Sequence, residues 1–359
     1  MDLKDFGWDA SFEARFAPFA GLGLSPARVV EQSRDRSTLI TEGGELAGEV
    51  SGRFRRRALG LADYPAVGDW TAVKPRRGGV ALIEAVLPRR SAFVRKTAGD
   101  VTEAQVVAAN VDTVFLVSGL DGDFNLRRIE RYLTTAWASG AAPVIVLNKA
   151  DLHPDLESFV AAAALAAPGV PVVAVSALTA HGLAGIDPYL APGKTVALLG
   201  SSGVGKSTLI NRLFGAARLR TAAMSDAAAG RGRHTTSSRK LVRLPGGALL
   251  IDTPGMRELQ LWADDSGLDK TFEEIDRLAA RCRFPDCRHE REPDCAVRAA
   301  AEAGTLDVRR LDSYLKLRRE LRHMELKRDV RTRRQEEKTA GRRFAVRLKE
   351  VKKQKPRYQ

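Results

Sequence analysis

Gly200-Ser201-Ser202-Gly203-Val204-Gly205-Lys206-Ser207 decides the reading of this chain. The stretch satisfies G-x-x-x-x-G-K-[ST] at every fixed position. It follows the apolar run Thr195–Leu199, which predicts a buried strand, and precedes Thr208–Phe214, which predicts the first turns of a helix. Glycines let the backbone curl until several N–H groups converge on phosphate oxygens, and the helix N-terminus behind them adds positive potential. Lys206 can reach the outer phosphates and the Ser207 hydroxyl can ligate Mg²⁺. A Gly/Ser-rich turn that matches by coincidence is the bland alternative, and the strand before and helix after it argue against that. The whole run Gly200, Ser201, Ser202, Gly203, Val204, Gly205, Lys206, Ser207 and Thr208 is therefore read as nucleotide-binding.

Upstream, Asn148-Lys149-Ala150-Asp151 follows the apolar run Val144–Leu147. Asn-Lys-x-Asp at a strand end reads guanine: the Asp151 carboxylate accepts from N1–H and the exocyclic amine, donors that adenine lacks there. Such polar pairing discriminates by about 10⁴ or more. Four common residues coincide often, so this motif gains its weight from the phosphate loop. Ser176-Ala177-Leu178, after Val172–Val175, suits the loop backing the base. Downstream, Asp252-Thr253-Pro254-Gly255 follows Leu249–Ile251. Asp252 there can hold the Mg²⁺ shell and the Gly255 amide can sense the γ-phosphate. Between them, Gly230-Arg231-Gly232-Arg233-His234-Thr235-Thr236 offers a threonine for Mg²⁺, with Thr236 favoured over Thr235. The residue after the Asp-Thr-Pro-Gly turn, where a water-orienting glutamine is common, is Met256, which cannot polarise water. His234 is the nearest substitute, with contact to RNA or solvent as the alternative. Lys206, His234 and Thr236 are thus the catalytic candidates.

The order of these motifs is unusual. The base-reading segments precede the phosphate loop, so the chain reads as circularly permuted, a rearrangement tolerated when the original termini lie close together.

Cys282, Cys287, His289 and Cys295 fall within C-x₄-C-x-H-x₅-C and use all three cysteines of the chain. Three thiolates and an imidazole make a closed tetrahedral shell, hence one structural Zn²⁺ per chain. Buried free thiols or a redox pair are the alternatives.

The 359 residues carry a net charge of +14 and 44% apolar residues, enough for two or three domains. From Lys316 to Gln359 there are 18 Lys/Arg against 6 Asp/Glu, so most of the excess sits at the C-terminal end. A smaller basic concentration, Arg53 through Arg57 with Lys74, Arg89, Arg90 and Arg95, lies near the start. Polyanion binding at both ends follows. Five short apolar runs between residues 27 and 97 predict a small β-barrel, an OB-fold. Alternating strands and helices over 105–260 predict a largely parallel α/β sheet. The N-terminal segment reads either as a docking helix or as a loose arm. Phe159–Leu178, long and uncharged, is broken by Pro168, Gly169 and Pro171 and does not predict a membrane span; with no signal-peptide pattern, a soluble cytoplasmic protein is expected. The expected parts are an arm (1–26), the barrel (27–100), the permuted domain (101–261), a mostly helical zinc module (262–325) and a basic tail (326–359).

This combination of barrel, permuted motifs and the run Cys282-Arg283-Phe284-Pro285-Asp286-Cys287-Arg288-His289 resembles the bacterial ribosome small-subunit-dependent GTPase A family. Tyr64-Pro65-Ala66-Val67-Gly68-Asp69-Trp70 and Asp123-Phe124-Asn125-Leu126 agree with it. The resemblance covers about residues 25–325. It implies an OB-fold, a Ras-like P-loop GTPase and a zinc module. It also implies GTP hydrolysis to GDP stimulated by the 30S subunit during its late maturation, contact with 16S rRNA, and His234 as the water-positioning group. A monomer without a membrane partner is expected. The basic tail is longer than the family leads one to expect. The rival readings are an RNA-dependent ATPase, which the Asn-Lys-x-Asp motif opposes, and a non-enzymatic RNA-binding scaffold with a weak nucleotide site, which intact Lys206, Ser207 and Asp252 oppose.

Overall fold

The computed structural model describes residues 1–32, 36–76, 79–96, 104–215, 239–252 and 265–323. Five strands open the chain: β1 (Ser25–Gln32), β2 (Ser37–Thr41), β3 (Gly44–Val50), β4 (Trp70–Pro75) and β5 (Val80–Val86). They run in the order β1-β2-β3-β5-β4, and β4 pairs back onto β1, so the sheet closes. Only β3 and β5 are parallel. This is the five-stranded barrel of the OB type that the spacing of apolar runs predicts. Its interior is filled by Ala27, Val29, Leu39, Val73, Ala81 and Ile83.

The N-terminal segment is a docked helix. Helix α1 (Ala10–Ala20) starts at Asp9, whose carboxylate accepts from the Ser11 and Phe12 amides. Phe12 and Phe16 are buried on the barrel, and Trp8 meets the fully buried Trp70 edge-on at 4.7 Å between ring centroids. Helix α2 (Gly52–Arg57) hangs from the barrel by buried Phe54 and leaves Arg53, Arg55, Arg56 and Arg57 exposed.

A hairpin, β6 (Ala92–Lys96) and β7 (Ala104–Ala109), leads into the second sheet. That sheet has the order β10 (Val172–Ala174), β9 (Ala142–Asn148), β8 (Thr113–Gly119), β11 (Thr195–Leu199), β13 (Leu249–Asp252) and β12 (Arg239–Arg243). All are parallel except β12. Strand β11, which feeds the phosphate loop, stands inside the sheet. Strands earlier in sequence lie on one side of it and later ones on the other, which is the permutation expressed in space. Side chains alternate along β8: Val114 and Leu116 face helices α3 (Leu126–Ser139) and α4 (Leu156–Ala166), while Phe115 and Val117 face α5 (Lys206–Phe214). Both faces are covered, as a parallel sheet requires.

Strand β12 also pairs with β1 of the barrel, with Glu31 opposite Lys240 and Gln32 opposite Arg239. Barrel and α/β domain therefore share one eleven-stranded hydrogen-bonded sheet. Nothing in the sequence signals this join.

The chain then forms α6 (Asp265–Thr271), α7 (Glu273–Ala279), an irregular Cys/His loop, α8 (Ala296–Glu302) and α9, helical over 308–323. Leu268, Phe272, Ile275, Val297, Leu311, Tyr314, Leu317 and Leu321 make their common core. Leu317 and Leu321, on the last described turns of α9, are buried in it. No helix among the described residues is long and apolar enough to cross a membrane.

Candidate nucleotide site and metal centre

The phosphate loop leaves β11 and enters α5, with Gly205 as the N-cap at φ 93°. A Cβ at Gly205 would lie 2.2 Å from Asn148 Nδ2, and one at Gly200 would lie 2.3 Å from the Val117 carbonyl. Both glycines are required by close approach as well as by backbone angle. Val204 plugs the loop into the core. The Lys206 ammonium curls inward, donating to the Gly200 carbonyl at 2.6 Å and to the Ser201 carbonyl. Ser207 and Thr208 are exposed on the first turn of α5.

Asn148, at the end of β9, is buried. Its Nδ2 donates to the Val204 carbonyl at 2.8 Å, and its Oδ1 accepts from the Ala177 amide at 3.0 Å. Lys149, at φ 65°, lays its ammonium on the Gly203 carbonyl at 2.8 Å and pairs with Asp121. The hydrogen bond from Lys149 holds the Asp121 carboxyl below the usual aspartate range. Asp151 stands exposed in the 3₁₀ turn Ala150–Leu152. Ser176 is buried and its Oγ accepts from the Thr179 amide at 3.1 Å, closing the loop that presents Ala177 and exposed Leu178. The Asn148–Asp151 segment, the Ser176–Leu178 loop and the phosphate loop, separated in sequence, thus form one cradle.

Asp252 ends β13, whose Ile251 is in register with Ala197 of β11, so its backbone stands beside the strand that launches the phosphate loop. Gly255, His234, Thr235, Thr236 and Met256 lie outside the described residues.

Two contributors to the cradle carry no sequence signal. Arg212 of α5 donates from Nε to the Ala177 carbonyl at 2.9 Å and from Nη2 to that of Leu178, tying the base loop to the phosphate-loop helix. Asp121 neutralises Lys149. An arginine on an amphipathic helix and an aspartate in a loop read as solvated surface.

The second centre joins Cys282, Cys287, His289 and Cys295, whose ligand atoms all lie within 4.8 Å of one another. Cys282 Sγ is 3.9 Å from Cys295 Sγ and 3.6 Å from His289 Nδ1, and His289 Nδ1 is 3.4 Å from Cys295 Sγ. Bond lengths of about 2.3 Å to sulfur and about 2.0 Å to nitrogen give tetrahedral edges of roughly 3.8 and 3.5 Å, so Cys282, His289 and Cys295 stand at the spacing Zn²⁺ takes, with Cys287 in the same group as the fourth donor. Cys295 caps α8, its sulfur accepting from the Arg298 amide at 3.5 Å. Burial, then the nearby Arg318, holds the His289 imidazolium pKa below its usual value, which favours the neutral ring, the form a metal needs. His289 and Asp294 take positive φ angles of 61° and 55°, which fold the loop back on itself.

The fold and the motif order define a circularly permuted P-loop GTPase. The profile of the RsgA GTPase family matches residues 86–262. The chain is 54% identical over 330 residues, covering 89% of its length and 90% of the relative's, to the small ribosomal subunit biogenesis GTPase RsgA of Opitutus terrae. Among solved structures, YjeQ from Thermotoga maritima matches with a TM-score of 0.62 at 28% identity, over 83% of this chain and 98% of the other. YloQ, described as a circularly permuted GTPase, matches with a TM-score of 0.61 at 25% identity, over 84% and 96%. This chain belongs to the RsgA GTPase family.

Proposed function

We propose that this protein acts in the biogenesis of the small ribosomal subunit, binding the 30S particle through 16S rRNA and hydrolysing GTP faster on it than off it. One observation carries the site assignment: buried Asn148 bridges the base-side loop at Ala177 and the phosphate loop at Val204, so a purine nucleotide can lie across one cradle. Relatives named for small-subunit biogenesis support the partner.

In this reading Asp151, with Asn148 and Lys149 behind it, selects guanine. Ser176, Ala177 and Leu178 back the base, the amides of 200–208 and Lys206 hold the phosphates, and Ser207, Thr236 and Asp252 hold Mg²⁺. His234 orients the attacking water, and Gly255 senses the γ-phosphate. Cys282, Cys287, His289 and Cys295 hold one structural Zn²⁺. The four exposed arginines of α2 and the basic C-terminal end suit an RNA partner. The working division is an arm (1–26), barrel (27–100), permuted GTPase domain (101–261), zinc module (262–325) and tail (326–359), in a monomer of the cytoplasm.

Unassisted hydrolysis can be as slow as about 10⁻⁴ s⁻¹, and partners raise such rates by up to ~10⁵-fold. The test is phosphate release by the full chain from GTP and from ATP, with and without purified 30S subunits. Subunit-stimulated turnover of GTP alone is expected. Equal turnover of ATP would favour the ATPase reading, and subunit binding without turnover would favour the scaffold.

A further inference from the structure

Helix α3 touches the nucleotide cradle and the C-terminal module at residues two apart, which a helix turns to nearly opposite sides. On one side, the Arg128 guanidinium pairs with Asp123 and donates from Nη1 to Ser201 Oγ of the phosphate loop at 2.7 Å. On the other, buried Glu130 accepts from Arg310 Nη1 at 2.8 Å and from the Ser313 hydroxyl, both on α9. One turn further along, Thr134 Oγ1 donates to Thr271 Oγ1 at 3.2 Å, and a Cβ added to Gly267 would lie 2.2 Å from the Thr134 carbonyl, so α6 lies against α3 backbone to backbone.

The two ends differ in burial. The Glu130 and Arg310 side chains are 5% and 9% exposed, a buried anchor, whereas that of Arg128 is 37% exposed and stands at the edge of the cradle. A rigid helix pinned at Glu130 therefore sets where Arg128 meets the loop.

We propose that Arg128 is a positioning residue of the nucleotide site: it holds the phosphate loop through Ser201, and α3 makes that hold depend on the C-terminal module anchored at Glu130. The inference rests on the nucleotide-site reading above. Ser201 occupies a position that the G-x-x-x-x-G-K-[ST] pattern leaves unspecified, so its hydroxyl is available as a handle without disturbing the glycines. Asp123 keeps the guanidinium on that hydroxyl instead of out in solvent. A shift of the module along α3 thereby reaches the phosphate loop directly, without passing through the segment that follows Asp252.

The test is stopped-flow release of a fluorescent methylanthraniloyl-GDP from the full, zinc-loaded chain. Arg128→Ala and Ser201→Ala should each speed release about tenfold, the size of one lost charge-assisted hydrogen bond. The double variant should release no faster than either single one. Arg128→Lys should recover part of the slow release. Glu130→Gln should speed release in the parent chain but not in Arg128→Ala. Parent-like release by Arg128→Ala, effects at 128 and 201 that simply multiply, a lysine variant no better than alanine, or an equal effect of Glu130→Gln in both backgrounds would each overturn the proposal. Failure of the parent chain to bind the probe would overturn the nucleotide-site reading itself, and this inference with it.

Discussion

Asn148 donates from its side-chain amide to the main-chain carbonyl of Val204, 56 residues later, at 2.8 Å. The bond is buried and lies between two motifs whose sequence order is the reverse of the usual one. It leaves the amide's oxygen for the Ala177 N–H, so one side chain holds three loops in register. Removing it would strip partners from a buried carbonyl and a buried amide at once. Asn148→Ala is expected to cost about 2–3 kcal/mol of stability and to weaken GDP binding more than tenfold, read by thermal melting and by titration with labelled nucleotide.

Gly205→Ala tests the same junction from the other side. The added Cβ would land 2.2 Å from Asn148 Nδ2, on a backbone at φ 93°. The loop must open or Asn148 must move. Loss of detectable nucleotide binding with a far-ultraviolet circular dichroism spectrum like the parent's is the expected result.

Withdrawing the metal should unfold the C-terminal module. Cys287 and Cys295 belong to its small core, and zinc in such modules contributes on the order of 10 kcal/mol. Treatment with a strong chelator, or Cys287→Ser, should release one equivalent of zinc measured by a colorimetric assay. It should also make the 265–323 region sensitive to trypsin, while the barrel stays resistant.

Arg310→Met should be more damaging than its position on a C-terminal helix suggests. The guanidinium reaches Glu130, Glu274 at 2.5 Å and the carbonyls of Ala166 and Thr271, both at 2.6 Å. Truncation leaves Glu130 charged and buried, a loss of about 3–5 kcal/mol. Adding Glu130→Gln should restore much of it, as seen in denaturant midpoints.

Arg28→Ala should loosen the arm, the barrel and the GTPase sheet together. This barrel arginine is buried, stacks 5.4 Å from the Trp70 ring, and donates to the Phe6 carbonyl and to Thr195 Oγ1 at 2.8 Å. Burial lowers its pKa to about 10, still leaving it charged at neutral pH. A drop in melting temperature of about 4 °C or more, with faster amide exchange in α1, is the expected outcome.

The strands of the barrel, most of the strands on either side of the phosphate loop, helices α3 and α4 and the four Cys/His positions are legible in the sequence. Each depends on a local signal: alternation of apolar residues, a turn dipeptide, a glycine spacing, a ligand spacing. Arg212, Arg128 and Arg310 were not legible, because a charged residue on a helix face has the same local pattern whether it meets water or a carbonyl from a distant strand. The pairing of Gln32 with Arg239 was hidden for the same reason: β12 is short and charged, and its partner lies in another part of the chain.

By itself, then, the sequence determined which residue types stand where: a glycine-spaced loop ending in Lys206-Ser207, an Asn-Lys-x-Asp run ahead of it, and three cysteines with a histidine behind it. It also determined their back-to-front order. Only the tertiary structure decided how those pieces are held against each other: Asn148 against Gly205, α3 between the phosphate loop and the module, and the barrel zipped onto the second sheet. Chemistry is written in residue type and spacing along the chain, whereas alignment between segments arises from burial and hydrogen bonds between residues far apart in sequence, which no short-range pattern encodes.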